Sequence, residues 1–187
     1  MPIILGFLIV IIVVVAALAA LLIGIYNNLV ALRQQVKASW SQIDVQLKRR
    51  HDLIPNLVNT VQGYAAHERG TLDEVVAARA RATGAATPAD RMRAEGELSG
   101  ALGRLLAVSE AYPNLKANEN FLNLQGQLSA TEAQIASARS SYNQVATQFN
   151  TSVQTFPAVV VAGMLGFAPE PFFETPAAEQ QAPKVQF

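Results

Sequence analysis

The stretch KRRHDLIPNLV, residues 48–58, decides how many helices the chain forms. It places a proline inside a repeat of apolar residues that is otherwise typical of an uninterrupted helix. Within a helix, Pro55 would clash with the carbonyl of His51 and remove one backbone hydrogen bond, at a cost of about 3 kcal/mol. If Asp52 instead caps a new helix, Pro55 falls in its first turn, where its missing N–H is not needed. This local geometry predicts a helix corner at Asp52 and Pro55.

An apolar heptad repeat extends to both sides of this corner. Its period is typical of a helix that packs along one face, and of coiled coils. The repeat keeps its phase across Pro55, as a single bent helix would. Four helices, and three long helices with the first bent at Pro55, therefore both remain open. The repeat positions are Tyr26, Leu29, Arg33, Val36, Trp40, Ile43, Leu47, Arg50, Ile54, Leu57, Val61 and Tyr64.

Two further helical segments follow the first region. Thr87 and Pro88 match an N-cap followed by a first-turn proline, and Tyr112 and Pro113 end the segment that they open. A second heptad repeat fills the last long segment, and its aromatic side chains are more often core than interface. Its positions are Phe121, Leu128, Ile135, Tyr142, Phe149 and Phe156. With a break at the corner, the predicted helices span 26–51, 53–83, 88–111 and 114–156.

Segments of this period, joined by short loops, can bury their apolar stripes only against one another, so we expect an all-α bundle. The apolar segment AVVVAGMLGF, residues 158–167, is too short to span a bilayer and fits a capping or amphipathic role. The proline-containing tail should be extended or disordered. The expected domains are an anchor at 1–25, a bundle at 26–168 and the tail at 169–187.

Residues 3–25, IILGFLIVIIVVVAALAALLIGI, carry no charge, and as a helix of about 35 Å they would cross a bilayer core of roughly 30 Å. A cleaved signal peptide is the rival interpretation, because Ala17-Leu18-Ala19 resembles a cleavage site. Signal peptides have a basic start and a shorter apolar run, which favours a retained single-pass anchor. Arg33 and Lys37 follow the span, so we expect the N-terminus outside the cell (inner) membrane and the bundle in the cytoplasm.

The composition weighs against several classes of function. The 14 basic and 14 acidic residues cancel, whereas a nucleic-acid partner would favour a strongly basic face. The sequence contains no cysteine, no G-x-S-x-G turn, no phosphate loop and no H-E-x-x-H motif. We therefore expect no enzyme, no cofactor and no small-molecule substrate.

Two adjacent pairs, His51-Asp52 and His67-Glu68, are the candidates for metal ligands. Neighbouring residues point about 100° apart on a helix, and neither pair has the spacing that directs two ligands at one ion. These residue pairs do not predict a metal site.

The basic cluster Lys48, Arg49 and Arg50 is the candidate interaction patch. Solvation or ion pairing at the helix corner, contact with lipid headgroups, and docking of a partner protein are all compatible with it. Along a straight helix the cluster would lie about 35 Å beyond the span, several Debye lengths away, so headgroup contact requires the helix to lie down.

The segments SQIDVQLKRRHDLIPNLVNTVQGYAAHE (41–68) and LLAVSEAYPNLKANENFLNLQGQLSATEAQIASARSSYN (105–143), then FP, GF and FFE, together resemble the LemA family. Phe149-Asn150 departs from it, since Tyr-Asn is usual there. The resemblance implies a single-pass membrane protein with an up-and-down antiparallel four-helix bundle and no known enzymatic activity. It also implies an N-terminus outside the cell, and relatives that include a protein associated with magnetosome membranes.

Two functions are compatible with these features. A membrane-anchored scaffold or adaptor would present polar helix faces to an unknown protein partner or to a second copy of the chain. A lipid-facing protein would instead sense or shape the bilayer through residues 158–167 and the basic cluster.

Overall fold

The computed structural model describes residues 2–173, and all the regular secondary structure in that range is helical. The helices are α1 (Pro2–Gln62), α2 (Arg69–Gly84), α3 (Pro88–Ser109), α4 (Pro113–Lys116), α5 (Glu119–Gln154) and α6 (Ala158–Leu165). The all-α class is confirmed. Of the predicted tail, residues 169–173 contain no helix or strand, and 174–187 lie outside the described residues.

The predicted corner at Asp52 and Pro55 is wrong, because α1 continues through Pro55 to Gln62. The His51 carbonyl, which loses its helical donor to the proline, accepts a hydrogen bond from Arg79 Nε of α2 at 2.8 Å. Asp52 is an exposed residue within the helix and caps nothing. The side chain of Arg79 therefore removes the unsatisfied carbonyl, which is one part of the cost that the sequence assigned to Pro55.

The first long helix ends instead at a glycine. After Gln62, the N–H groups of Tyr64 and Ala65 both donate to the Val61 carbonyl, at 3.0 and 2.8 Å, in a tight turn that starts at Gly63. Glycine has low helix propensity, and the buried Ala65 fixes the turn against the core. The predicted second helix, 53–83, is thus shortened to α2.

The start of α3 follows the sequence signal. Thr87 Oγ1 accepts a hydrogen bond from the Asp90 N–H at 3.1 Å, and Pro88 occupies the first turn. This N-cap and proline are confirmed. The chain after α3 forms a short additional helix, α4, before α5 begins at Glu119.

The described residues divide into two compact units. Unit 1 comprises residues 2–41 and 141–172, and unit 2 comprises 42–140 with Phe173. The core of unit 2 uses the predicted heptad positions of α1 and the apolar faces of α2, α3 and α5. Its largest fully buried apolar side chains include Ile43, Ile54, Leu57, Leu98, Leu105, Leu115, Phe121 and Ile135.

Unit 1 is built from aromatic contacts between α1, α5 and the chain that follows α6. The rings of Trp40 and Tyr142 lie 5.5 Å apart, and Phe167 contacts both Tyr26 and Phe149, at 6.2 and 6.4 Å. The last heptad position, Phe156, is 84% exposed, so the core prediction for the aromatic row is wrong there. Its helix has already ended at Gln154.

The segment after α6 is held on α5 by polar contacts within unit 1. Asn150 Nδ2 donates to the Glu170 carbonyl at 2.9 Å, and its Oδ1 accepts from the Glu170 N–H at 2.8 Å. The hydroxyl of Tyr142 donates to the Pro171 carbonyl at 2.9 Å. The beginning of the predicted tail is therefore an ordered strap.

Arg79 donates to the His51 carbonyl, which Pro55 deprives of its helical donor. The stability cost of replacing Arg79 should therefore depend on whether residue 55 is proline. Arg79→Leu should lower the free energy of unfolding by about 1–3 kcal/mol, because it leaves a carbonyl without a donor. In a Pro55→Ala background the residue 55 N–H can take that carbonyl, so the same substitution should cost less. Thermal unfolding of the full chain in detergent, followed by circular dichroism, measures both.

Arg81→Leu is the matched control, since Arg81 lies on the same helix in an exposed ion pair with Glu97. Its cost should be about 0–1 kcal/mol in either background. Equal losses for Arg79→Leu with and without Pro55 would refute the assigned role of Arg79.

Candidate functional site

A buried ion-pair cluster in unit 2 is the most unusual polar feature of the described chain. Arg50 occupies an apolar repeat position of α1, and Glu95 and Ser99 lie four residues apart on one face of α3. Glu132 comes from α5. The side chains of Arg50 and Glu95 are both 0% exposed. Three helices thus converge on one guanidinium.

The guanidinium of Arg50 donates to all three partners. Its Nη1 donates to Ser99 Oγ at 2.8 Å and to Glu132 Oε1 at 2.9 Å. Its Nη2 donates to the Glu95 carboxylate, and at 3.3 Å to the Glu95 backbone carbonyl. A buried charge with these contacts is compensated by both opposite charge and hydrogen bonds.

His51 completes the cluster from the next position on α1. Its Nε2 lies 2.9 Å from Glu95 Oε1, while Arg50 holds the other carboxylate oxygen. Burial raises the pKa of the Glu95 carboxyl, but the contact with His51 and the charge of Arg50 outweigh it. The pKa of Glu95 therefore lies below its ordinary value of 4.5.

A small cleft of about 230 Å³ opens beside His51 and Glu95. At its rim Arg91 Nη1 donates to Asp44 Oδ1 at 2.7 Å, in a partly exposed ion pair. Most charged atoms around the cleft are therefore bound to one another. Among the described residues, no three His, Asp or Glu side chains are grouped to hold a metal ion. The residues that line the cleft are Asp44, Leu47, Lys48, His51, Ala82, Thr83, Arg91 and Glu95.

The predicted basic patch of Lys48, Arg49 and Arg50 is only partly a surface. Lys48 and Arg49 are exposed, whereas Arg50 is fully buried, so the interpretation of the three residues as one patch is wrong. Consecutive helix residues point about 100° apart, which turns Arg50 to the core while the other two face outward. Of the interpretations left open, ion pairing is the one that describes Arg50.

In each adjacent pair, one residue contacts a partner elsewhere in unit 2. His51 is paired with Glu95 of α3 and not with its neighbour Asp52. Glu68 accepts a hydrogen bond from the Tyr112 hydroxyl at 3.1 Å, and His67 is exposed.

Glu95, Ser99 and Glu132 were not predicted as site residues. The available signal was Arg50 itself, because an arginine at a core position of an apolar repeat requires a carboxylate on a facing helix. The sequence does not reveal which carboxylate faces it, since that depends on the register between helices.

Comparison with known proteins gives a consistent family. The model of the LemA family matches residues 39–187. Magnetosome protein MamQ 2 of Paramagnetospirillum magneticum is 28% identical over 181 residues, covering 82% of this chain and 66% of the relative. Magnetosome protein MamQ of Magnetospirillum gryphiswaldense is 27% identical with the same coverage. Protein LemA of Metamycoplasma hominis is 26% identical over 144 residues, covering 76% of this chain and 66% of the relative. The chain thus spans 66% of the length of each of these relatives.

Removing the buried guanidinium should destabilise the fold strongly. Arg50→Met should cost about 3–5 kcal/mol of unfolding free energy, because it leaves the Glu95 carboxylate buried without its cation. Arg49→Met, at the exposed neighbouring position, should change the free energy by less than about 0.5 kcal/mol. Urea unfolding of the full chain in detergent compares the two. Similar losses would mean that Arg50 contributes no more than a surface arginine.

The lowered pKa of Glu95 predicts acid sensitivity. A carboxyl whose folded pKa is depressed contributes stability that is complete above its unfolded pKa and is lost as the pH falls through the folded value. Part of the stability should therefore disappear below about pH 4.5. Glu95→Gln should be less stable at pH 7 and should lack this part of the acid dependence. The measurement is Tm for both proteins between pH 7 and 3. If the two curves of Tm against pH are parallel, the acid sensitivity does not come from Glu95.

Proposed function

The chain belongs to the LemA family, and we propose that it is a single-pass, membrane-anchored helical protein that acts as a non-catalytic scaffold or adaptor. Its partner is another protein or a second copy of the chain. The observation that carries the non-catalytic part is the cluster around Arg50, whose charges are bound to one another.

The anchor is supported by the apolar start of α1. In this part of the helix, the most apolar window of eighteen residues is 0% buried, so no other described part of the protein covers its side chains. A core helix of a soluble protein would be covered, whereas a transmembrane helix is covered by lipid. A retained anchor accounts for this exposure.

The side of the membrane follows from the basic residues after the span. Arg33 and Lys37 lie within the range over which positive charge favours the cytoplasmic side. We therefore propose the N-terminus outside and the helical domain in the cytoplasm of a cell whose inner membrane holds the anchor. A reporter fused after Phe187 distinguishes the two orientations.

A shallow groove in unit 2 supports a protein partner. It has a volume of about 430 Å³ and is lined by α1 and α5. Amide side chains dominate it, and each offers both donors and an acceptor without net charge, which suits hydrogen bonding to another polypeptide. The residues that line it are Asn56, Asn59, Thr60, Asn120, Asn123, Leu124 and Gln127.

A lipid-facing role is the second candidate function. Two features favour it, the basic cluster and the apolar segment after Pro157, and the structure weakens the first. The basic cluster that would meet anionic headgroups has lost Arg50 to the core. Its other support, the apolar segment after Pro157, is buried at Val161 and Ala162 and exposed at Val159, Val160, Met164 and Leu165.

The scaffold proposal predicts a protein contact at the amide groove. A photo-crosslinking amino acid at Asn59 or Asn123, in the full chain in cells, should form a discrete protein adduct whose identity mass spectrometry assigns. The same amino acid at Val45, which is exposed on α1 but does not line the groove, should not form that adduct. Adducts at all three positions alike, or at none, would count against the groove as a docking surface.

A further inference from the structure

Besides the start of α1, a second region of exposed apolar side chains lies just after α5 and on α6. Between Phe156 and Ala168 the sequence has no charged residue. Phe156 and Met164 are 84% and 81% exposed, and Val159, Val160 and Leu165 are exposed as well. Scattered apolar residues on a surface are ordinary, but five within ten residues form a continuous patch that marks an interaction site.

The helix that carries this patch is fixed in place by its other side. Val161 and Ala162 are buried, and Gly166 ends the helix in the left-handed conformation, with a φ of 71°. The Phe167 N–H then donates to the Ala162 carbonyl at 3.0 Å. One face of α6 thus belongs to the core of unit 1, and Val160 and Met164, four residues apart, share the opposite face.

The register between α1 and α5 within unit 1 shows which residues of α1 lie beside the patch. Tyr142 lies against Trp40. Seven residues further along α5, Phe149 contacts the Phe167 ring, and seven residues back along α1 the Arg33 guanidinium lies 5.7 Å from the same ring. The helices are therefore antiparallel with matched steps of 1.5 Å per residue.

Continuing this register by five residues to the end of α5 places Gln154 opposite Asn28, and Phe156 follows two residues later, close to the level of Tyr26. Tyr26 follows directly on the uncharged span of residues 3–25, and its own ring contacts Phe167. The exposed patch thus lies at the level where the uncharged span of the proposed anchor ends. Arg33 and Tyr26 are also residue types that favour the headgroup region.

We propose that Phe156 and α6 form a second membrane contact, in which the exposed side chains insert at the boundary between headgroups and acyl chains beside α1. The proposal rests on the anchor described above. Its occupant is lipid and not a partner protein, because the uncharged patch lies at the level where α1 would leave the bilayer. There, lipid would cover the exposed side of α6, as it covers the apolar faces of helices at the membrane interface.

The test uses the absence of cysteine from the sequence. Single variants Phe156→Cys and Met164→Cys of the full chain carry a nitroxide label in vesicles of phosphatidylcholine and phosphatidylglycerol. Leu18→Cys, in the span, is the lipid control. Val45→Cys is the water control, since Val45 is 64% exposed and lies about 30 Å beyond the span along the helix.

Collisions of the label with oxygen and with a water-soluble nickel complex report its surroundings. Labels at 156 and 164 should have an oxygen-to-nickel ratio several times that at 45 and below that at 18, as expected at the boundary between headgroups and acyl chains. A ratio like that at 45 would overturn the proposal while leaving the anchor intact. Immobile labels shielded from both reagents would place the patch against protein and would overturn it as well. A label at 18 that is open to nickel would refute the anchor and the second contact together.

Discussion

A fully buried guanidinium is the constraint on which unit 2 depends. Arg50 occupies a core position of α1, and its charge is tolerable there only because Glu95 of α3 and Glu132 of α5 supply opposite charge and acceptors. Replacing such a group of charges by apolar side chains often leaves stability unchanged, so the net gain from the cluster is small. Its effect is on specificity: within unit 2, a shift of α3 along α1 by one turn would separate Arg50 from Glu95. The apolar contacts alone tolerate such shifts far better.

The same region of α1 shows how tertiary contacts override a local rule. A proline inside a helix deprives the carbonyl four residues earlier of its donor, and here that carbonyl belongs to His51. Arg79 of α2 donates to it, while Ile54 and Leu57, on either side of the proline, are buried. The contact of His51 Nε2 with the Glu95 carboxylate involves the same residue. Side chain and backbone of His51 are therefore both used to attach α2 and α3 to α1.

The sequence predicted the features that depend on neighbouring residues. The apolar repeat of α1, the Thr87 cap of α3 and the uncharged span all follow from spacing and composition. The course of the chain at Pro55 and the environment of Arg50 did not, because each depends on a partner 28 to 82 residues away. The apolar heptad repeat contains two arginines, of which Arg33 is exposed and Arg50 is buried, so the repeat alone did not show that Arg50 needs a buried acid. Its identity needed the register between helices, which no local pattern contains.

Arg50 is a charged residue that is buried, whereas Phe156 is an apolar residue that is exposed. It is exposed although it keeps the heptad spacing of Phe149. In water this would leave a large aromatic surface uncovered, at roughly 25 cal/mol for each Å² of apolar area. The apolar residues of α6 would add to that area, and Pro157 prevents α5 from turning Phe156 back to the core by another helical turn. The heptad spacing continues to Phe156, beyond the end of α5. This is explained if Phe156 is buried in a medium other than the protein core. At the level of Tyr26 that medium is the lipid interface, where the anchor and α6 are covered together and the uncovered surface of unit 1 no longer carries a cost.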